Sequence, residues 1–112
     1  MKRVLLITGG SRGIGAATAL LAAQDGWAVA VNYANNQAAA NQVVQAIAQA
    51  GGQAIAVQGD VADEAQIVRM FATVDQQLGR VTGLVNNAGV VDVTARVEDM
   101  SWQRLELSLI HI

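Results

Sequence analysis

Residues Thr8–Gly15 read TGGSRGIG, four glycines in eight positions directly after an apolar run. Glycine loses more freedom on ordering than any other residue, so a cluster of them marks a place where side chains would obstruct. The run before it, Val4–Thr8, is too short for a helix and apolar at alternate positions of both parities, as in a parallel strand buried on two faces. After it, Ile14–Gln24 is rich in Ala and Leu and stops at Asp25-Gly26, which predicts a helix. The loop therefore joins a buried strand to a helix.

The same alternation continues outward. Ala28–Tyr33 (AVAVNY) reads as a second strand, and Gln37–Ala50 as a helix with Val43, Val44 and Ile47 on one face, halted by Gly51-Gly52. Ala54–Gln58 is a third strand. Asp63 is placed to cap a helix whose Ile67, Phe71, Val74 and Leu78 recur at helical spacing before Gly79 ends it. Gly83–Asn87 is a fourth strand, and a last helical start falls near Ser101. Strand and helix in strict alternation, with short connections, imply right-handed crossovers and a parallel sheet.

Composition narrows the field. A chain of 112 residues is one domain at most, and 53% apolar content with few aromatics suits close-packed helix and sheet layers. With a net charge of -2 and seven basic residues spread along the chain, there is no basic patch for nucleic acid or anionic lipid. There is no cysteine, hence no disulfide or thiolate metal site, and no metal ligand is assigned. The opening MKRVLLITGG starts like a leader, but its apolar run ends within a few residues. The expectation is a soluble cytoplasmic protein without nucleic-acid or membrane partners.

In a doubly wound sheet the crevice at the carboxyl ends of the strands binds ligands, and the unpaired N–H groups of a helix start attract anions. Gly9 lets the chain leave the strand sharply, while Gly13 and Gly15 let backbone approach a pyrophosphate and the helix lie close to the sheet. A glycine turn that binds nothing is the competing reading; the strand before and the helix after weigh against it. The Walker A cradle needs Lys then Ser or Thr, whereas Ala16-Ala17 follow the last glycine here. Asp60, ending the third strand, can accept from an exocyclic adenine amine while the Val61 N–H meets the ring.

TGGSRGIG resembles the T-G-x-x-x-G-x-G fingerprint of the short-chain dehydrogenase/reductase family. GDV at Gly59–Val61 and NNAG at Asn86–Gly89 match further motifs of that family, in order and each after a strand. The resemblance covers residues 1–106 and is similar to the 3-oxoacyl-carrier-protein reductase and glucose dehydrogenase-like members. It implies an NAD(P)-binding Rossmann-type doubly wound sheet, here its first half with strand order 3-2-1-4. It also puts Asn87 and the backbone of Ala88 and Gly89 beside the cofactor ribose, with Ser11 and Ile14 completing the loop's contacts.

A cofactor with a free adenosine ribose is held by a carboxylate roughly 20 residues beyond the glycines. Between Asp25 and Asp60 there is no Asp or Glu; the second strand ends in neutral Asn32 and Tyr33, followed by Asn35 and Asn36. Arg12 can pair with a 2′-phosphate at that corner, so the expected cofactor is NADP(H) in preference to NAD(H).

The resemblance further implies a catalytic Tyr with a Lys four residues later, aided by a Ser and an Asn. The only Tyr is Tyr33 and the only Lys is Lys2; no Asn follows Asn87, and Ser101 and Ser108 lack the expected context. No catalytic residue is assigned, and the chain is expected to bind without turnover. The whole enzyme is expected to move hydride between NADP(H) and a small-molecule carbonyl or secondary alcohol, as a homo-oligomer; the alternative is a non-catalytic dinucleotide-binding module. Leu107–Ile112 (LSLIHI) breaks the family pattern and is encodable by CTGTCTCTTATACACATC, which looks like a transposon end used in preparing sequencing libraries. Residues 107–112 are therefore read as a non-native tail.

Overall fold

Val4–Thr8 forms β1, and its five side chains are all buried. Such burial requires cover on both faces, and the remaining elements supply it. In chain order they are α1 (Gly13–Gln24), β2 (Ala28–Tyr33), α2 (Gln37–Gln49), β3 (Ala54–Gln58), α3 (Glu64–Gln77) and β4 (Gly83–Asn86). The computed structural model describes residues 2–11 and 13–87; Arg12, Ala88, Gly89, the helical start near Ser101 and the segment 107–112 lie outside the described residues.

The sheet is parallel with strand order β3-β2-β1-β4, a Rossmann-like half as expected. Val4 pairs with Ala28 and Thr8 with Asn86, while Tyr33 pairs with Gln58, so the strands end together at one edge. Side-chain alternation divides the core into two layers. Val4 and Leu6 point with Ala28, Ala30 and Val57 toward Met70, Val74 and Leu78 of the α3 segment. Leu5 and Ile7 point with Val29 and Val31 toward Ala19 of α1 and Ala40, Val43 and Ile47 of α2.

Local chemistry sets the helix limits. Asn36 caps α2, its side chain accepting from the Ala39 N–H at 3.0 Å. At the other end of α2, Gly51 turns with φ +88° and the Gly52 N–H donates to the Ile47 carbonyl at 2.9 Å. Asp63 caps α3 through the Ala65 and Gln66 N–H groups. α1 has no polar stripe, being rich in Ala and Leu all round, and leaves Ile14 and Leu21 exposed. Among the described residues no helix is long and apolar enough to cross a membrane.

Candidate functional site

The strand ends bring four segments together: the glycine loop after β1, the end of β2, the turn after β3 and the end of β4. Gly9 turns the chain with φ +62°. Its N–H donates to Asn32 Oδ1 at 3.1 Å, and the Gly10 N–H donates to the Asn32 carbonyl at 3.0 Å. Two loop amides are thus committed to β2. The remaining anion-seeking amides are those of the first turn of α1, beginning at Gly13, which have no helical carbonyl behind them.

Gly13 and Gly15 serve different needs. Gly13 has φ +53°, and a Cβ there would meet nothing within 4 Å, so its requirement is backbone conformation beside open space. A Cβ on Gly15 would lie 2.6 Å from both Asn87 Nδ2 and the Gly9 carbonyl oxygen and 2.9 Å from Gly10 Cα. Gly15 is required by packing: α1 starts hard against the loop and β4. A tight helix start at one glycine and open space at another are the two features that a dinucleotide-binding turn combines.

β4 is fastened to the same loop by polar groups. The Thr8 hydroxyl donates to Asn86 Oδ1 at 2.9 Å and accepts from the Asn87 N–H at 3.0 Å. Asn87 Nδ2 in turn donates to the Gly9 carbonyl at 3.1 Å. Asn86 therefore braces the strand ends, while Asn87 borders the loop.

Asn32 reaches the site indirectly. It is 2% exposed, and its Nδ2 lies 3.1 Å from the Gly59 carbonyl, 3.3 Å from that of Val57 and 2.9 Å from Met70 Sδ. Two N–H bonds serve the two carbonyls best, since a thioether is a weak acceptor. With Oδ1 on Gly9, one buried amide joins the glycine loop to the turn after β3. Tyr33 points the opposite way, half-buried against the α1–α2 layer.

The turn after β3 starts at Gly59, whose N–H donates to the Tyr33 carbonyl at 3.0 Å. A Cβ there would collide with Met70 Sδ and Cγ. Asp60 is exposed; its Oδ1 accepts from the Ala62 N–H at 2.9 Å and its own N–H donates to Gln66 Oε1 at 2.8 Å. Gln66 also donates from its side chain to Asp63, and this bond is the largest cause of an Asp63 pKa held below the ordinary carboxylate value. Sequence reading passed over Thr8, Gln66 and Met70 as site-shaping residues. Met70 follows from a helical face centred one residue earlier than Phe71, Gln66 from its place three residues after the Asp63 cap, and Thr8 from its place at the head of the glycine fingerprint.

The opposite end of the sheet carries an open cavity of about 520 Å³ lined by Lys2, Arg3, Trp27, Gly51 and Gly52. Arg3 there stacks 5.0 Å over the Trp27 ring and pairs with Asp25 at 3.4 Å, so its guanidinium is engaged.

Comparison with known proteins agrees with this geometry. The short chain dehydrogenase family model matches residues 3–110. The chain is 50% identical over 102 residues to the uncharacterized oxidoreductase YgfF of Escherichia coli (strain K12), covering 91% of this chain and 41% of that protein. It is 45% identical over 103 residues to a 3-oxoacyl-[acyl-carrier-protein] reductase of Synechocystis, covering 90% and 42% respectively. It thus spans well under half the length of these relatives. Among solved structures, a dehydrogenase/reductase from Sinorhizobium meliloti 1021 superposes with a TM-score of 0.76 at 44% identity, over 78% of this chain and 34% of that one. With its glycine loop, its GDV turn and its NNAG strand end in that order, the chain belongs to the short-chain dehydrogenase family.

Proposed function

We propose that this chain is the cofactor-binding portion of an oxidoreductase that prefers NADP(H) and transfers hydride between it and a carbonyl or secondary alcohol. The observation that carries the reading is the bend from β1 into α1, where Gly13 turns with φ +53° beside open space and Gly15 lets α1 start against Gly9 and Asn87, 2.6 Å from where its Cβ would stand. The first amides of α1 hold the pyrophosphate. Asp60 and Val61 flank the adenine, and Asn87 with the backbone of Ala88 and Gly89 lies along the ribose. Asn32 positions Gly9 from behind, and Tyr33 lines the adenosine corner. The nicotinamide, when bound, supplies or accepts the hydride.

The preference for NADP(H) rests on charge. No carboxylate occurs between Asp25 and Asp60, so nothing there repels a 2′-phosphate, and Arg12 in the loop attracts one. A relative named as a 3-oxoacyl-[acyl-carrier-protein] reductase supports carbonyl chemistry for the whole protein. The second reading is a dinucleotide-binding module without catalysis. A Tyr-x-x-x-Lys further along the same reading frame decides for the enzyme.

The test is a titration of wild-type and Arg12→Ala protein with NADPH and NADH. Removing a charge-assisted bond worth about 1.5–3 kcal/mol should weaken NADPH binding by roughly tenfold or more and leave NADH little changed. Equal losses for both cofactors contradict the preference. No saturable NADPH signal from the folded wild-type protein removes the reading altogether.

A further inference from the structure

The turn that carries Asp60 is tied to α3 in a way the cofactor-binding motif does not require. In a capping box the side chain two residues into the helix from its first member reaches back to the N–H of the capping residue. Here Gln66 holds that position and Asp63 is the cap, but the Asp63 N–H is already taken by the Asp60 carbonyl at 3.0 Å. Gln66 reaches past it, its Oε1 accepting the Asp60 N–H at 2.8 Å and its Nε2 donating to Asp63 Oδ2 at 3.2 Å. The three bonds close a ring through Asp60, Asp63 and Gln66. Within it the Asp60 carboxylate is turned inward on one side only, Oδ1 accepting from the Ala62 N–H at 2.9 Å. The residue itself is exposed. Backbone and side chain of Asp60 are therefore both fixed before any ligand arrives.

We propose that Gln66 is a positioning residue that aims the Asp60 carboxylate at the 6-amino group of the adenine, and so makes the site selective for adenine over other purines; this rests on the dinucleotide reading above. The chemistry is directional. A carboxylate only accepts, so it pairs with the amino group of adenine and repels the oxygen at the same position of hypoxanthine. Selectivity of this kind depends on where the carboxylate is held, because a mobile side chain can turn away from the wrong base into water. Without Gln66 the Asp60 N–H is free to bond water and the ring opens, so the carboxylate keeps its bond from the Ala62 N–H on a backbone no longer held to α3 through the Asp60 N–H.

The experiment compares binding of NADPH with that of its hypoxanthine analogue, reduced nicotinamide hypoxanthine dinucleotide phosphate, in wild-type, Gln66→Ala and Gln66→Glu proteins. Wild type is expected to favour NADPH by about tenfold, the scale of one hydrogen bond to a charged group. Gln66→Ala is expected to bring the ratio below about threefold while NADPH binding persists through the glycine loop. Gln66→Glu keeps an accepting oxygen for the Asp60 N–H but loses the donor to Asp63, and is expected to give a ratio between those of wild type and Gln66→Ala. A purely structural role for Gln66 would lower the affinity for both ligands together and leave their ratio unchanged, and that result overturns the proposal. So does a wild-type protein that binds both ligands equally, or a Gln66→Glu protein as unselective as Gln66→Ala. A wild-type protein that binds neither ligand instead removes the dinucleotide reading itself.

Discussion

Two residues decide whether the glycine loop keeps its shape, and each can be tested by one substitution. Gly15→Ala pits helix propensity against packing. Alanine gains up to about 1 kcal/mol over glycine in a helix interior, and less in a first turn. The added methyl would stand 2.6 Å from a backbone oxygen that cannot swing aside, and overpacking of that kind costs about 1–3 kcal/mol. Packing wins, so Gly15→Ala should lower stability in urea and weaken NADPH binding by tenfold or more on the same scale. A variant that is more stable and binds normally contradicts the close approach of α1. Asn32→Ala removes the amide and its polar bonds and adds no bulk. The Gly9 N–H and the Val57 and Gly59 carbonyls then lose their partner in a buried setting, at a cost of about 2–4 kcal/mol. Equilibrium unfolding reads that cost, and a change within about 0.5 kcal/mol would show that water replaces the amide.

At the scale of the element, the start of α3 carries a pH dependence whose sign is fixed by Asp63. The bond from the Gln66 side chain, the Gln66 and Ala65 N–H groups and the Arg69 charge all favour its ionised form, so its folded pKa lies below the unfolded value. A group with a depressed folded pKa stabilises above its unfolded pKa and loses that contribution as pH falls through the folded value. Stability measured by chemical denaturation should therefore decline on acidification below the ordinary carboxylate range. Asp63→Ala should flatten part of that decline and lower stability at neutral pH; an unchanged profile contradicts the cap. Caps and stops of this sort are local, and they are the reason the sequence pattern located the elements so closely. Gly26, Gly51 and Gly79 ended helices where glycine follows a periodic run, and all three have positive φ. α1 is legible from its Ala/Leu content and its stop at Asp25-Gly26, since an Ala/Leu surface has no polar face to count. α3 was found from Ile67, Phe71, Val74 and Leu78, but the centre of its buried face runs through Met70 and Val74, with Ile67 and Phe71 half-buried at its margin. The site divides along the same line. The glycines, Asp60 and Asn87 stand in short motifs and were legible. The bonds from Thr8 to Asn86, from Asn32 to Gly59 and from Asn87 to Gly9 join residues distant in sequence, and only the strand order β3-β2-β1-β4 brings them together.

For the molecule as a whole, the site lies where both core layers end, so a bound dinucleotide would touch segments following β1, β2, β3 and β4 at once. β1, β2 and β3 serve both layers, the turn after β3 presents Asp60 at the surface, and the end of β4 is held to the loop by Asn87. A ligand that spans these segments binds the folded chain and not the unfolded one, and mass action then raises stability by RT ln(1 + [L]/Kd). At a hundredfold excess over Kd that is about 2.7 kcal/mol, which for a domain near this size corresponds to a Tm rise of roughly 10 °C or more. On the proposed preference for NADP(H), which rests on Arg12 in the loop sequence and the lack of Asp or Glu between Asp25 and Asp60, NADPH should produce this rise at lower concentration than NADH. Gly15→Ala should need far more NADPH for the same shift. The chain alone should oxidise no NADPH with carbonyl compounds, since without a Tyr-x-x-x-Lys pair it has no group of that kind to protonate the developing alkoxide. Thermal scans with each cofactor and an absorbance assay at the nicotinamide band check both halves. A Tm that ignores NADPH at saturating concentration would mean that the strand ends, though assembled, do not form one ligand site.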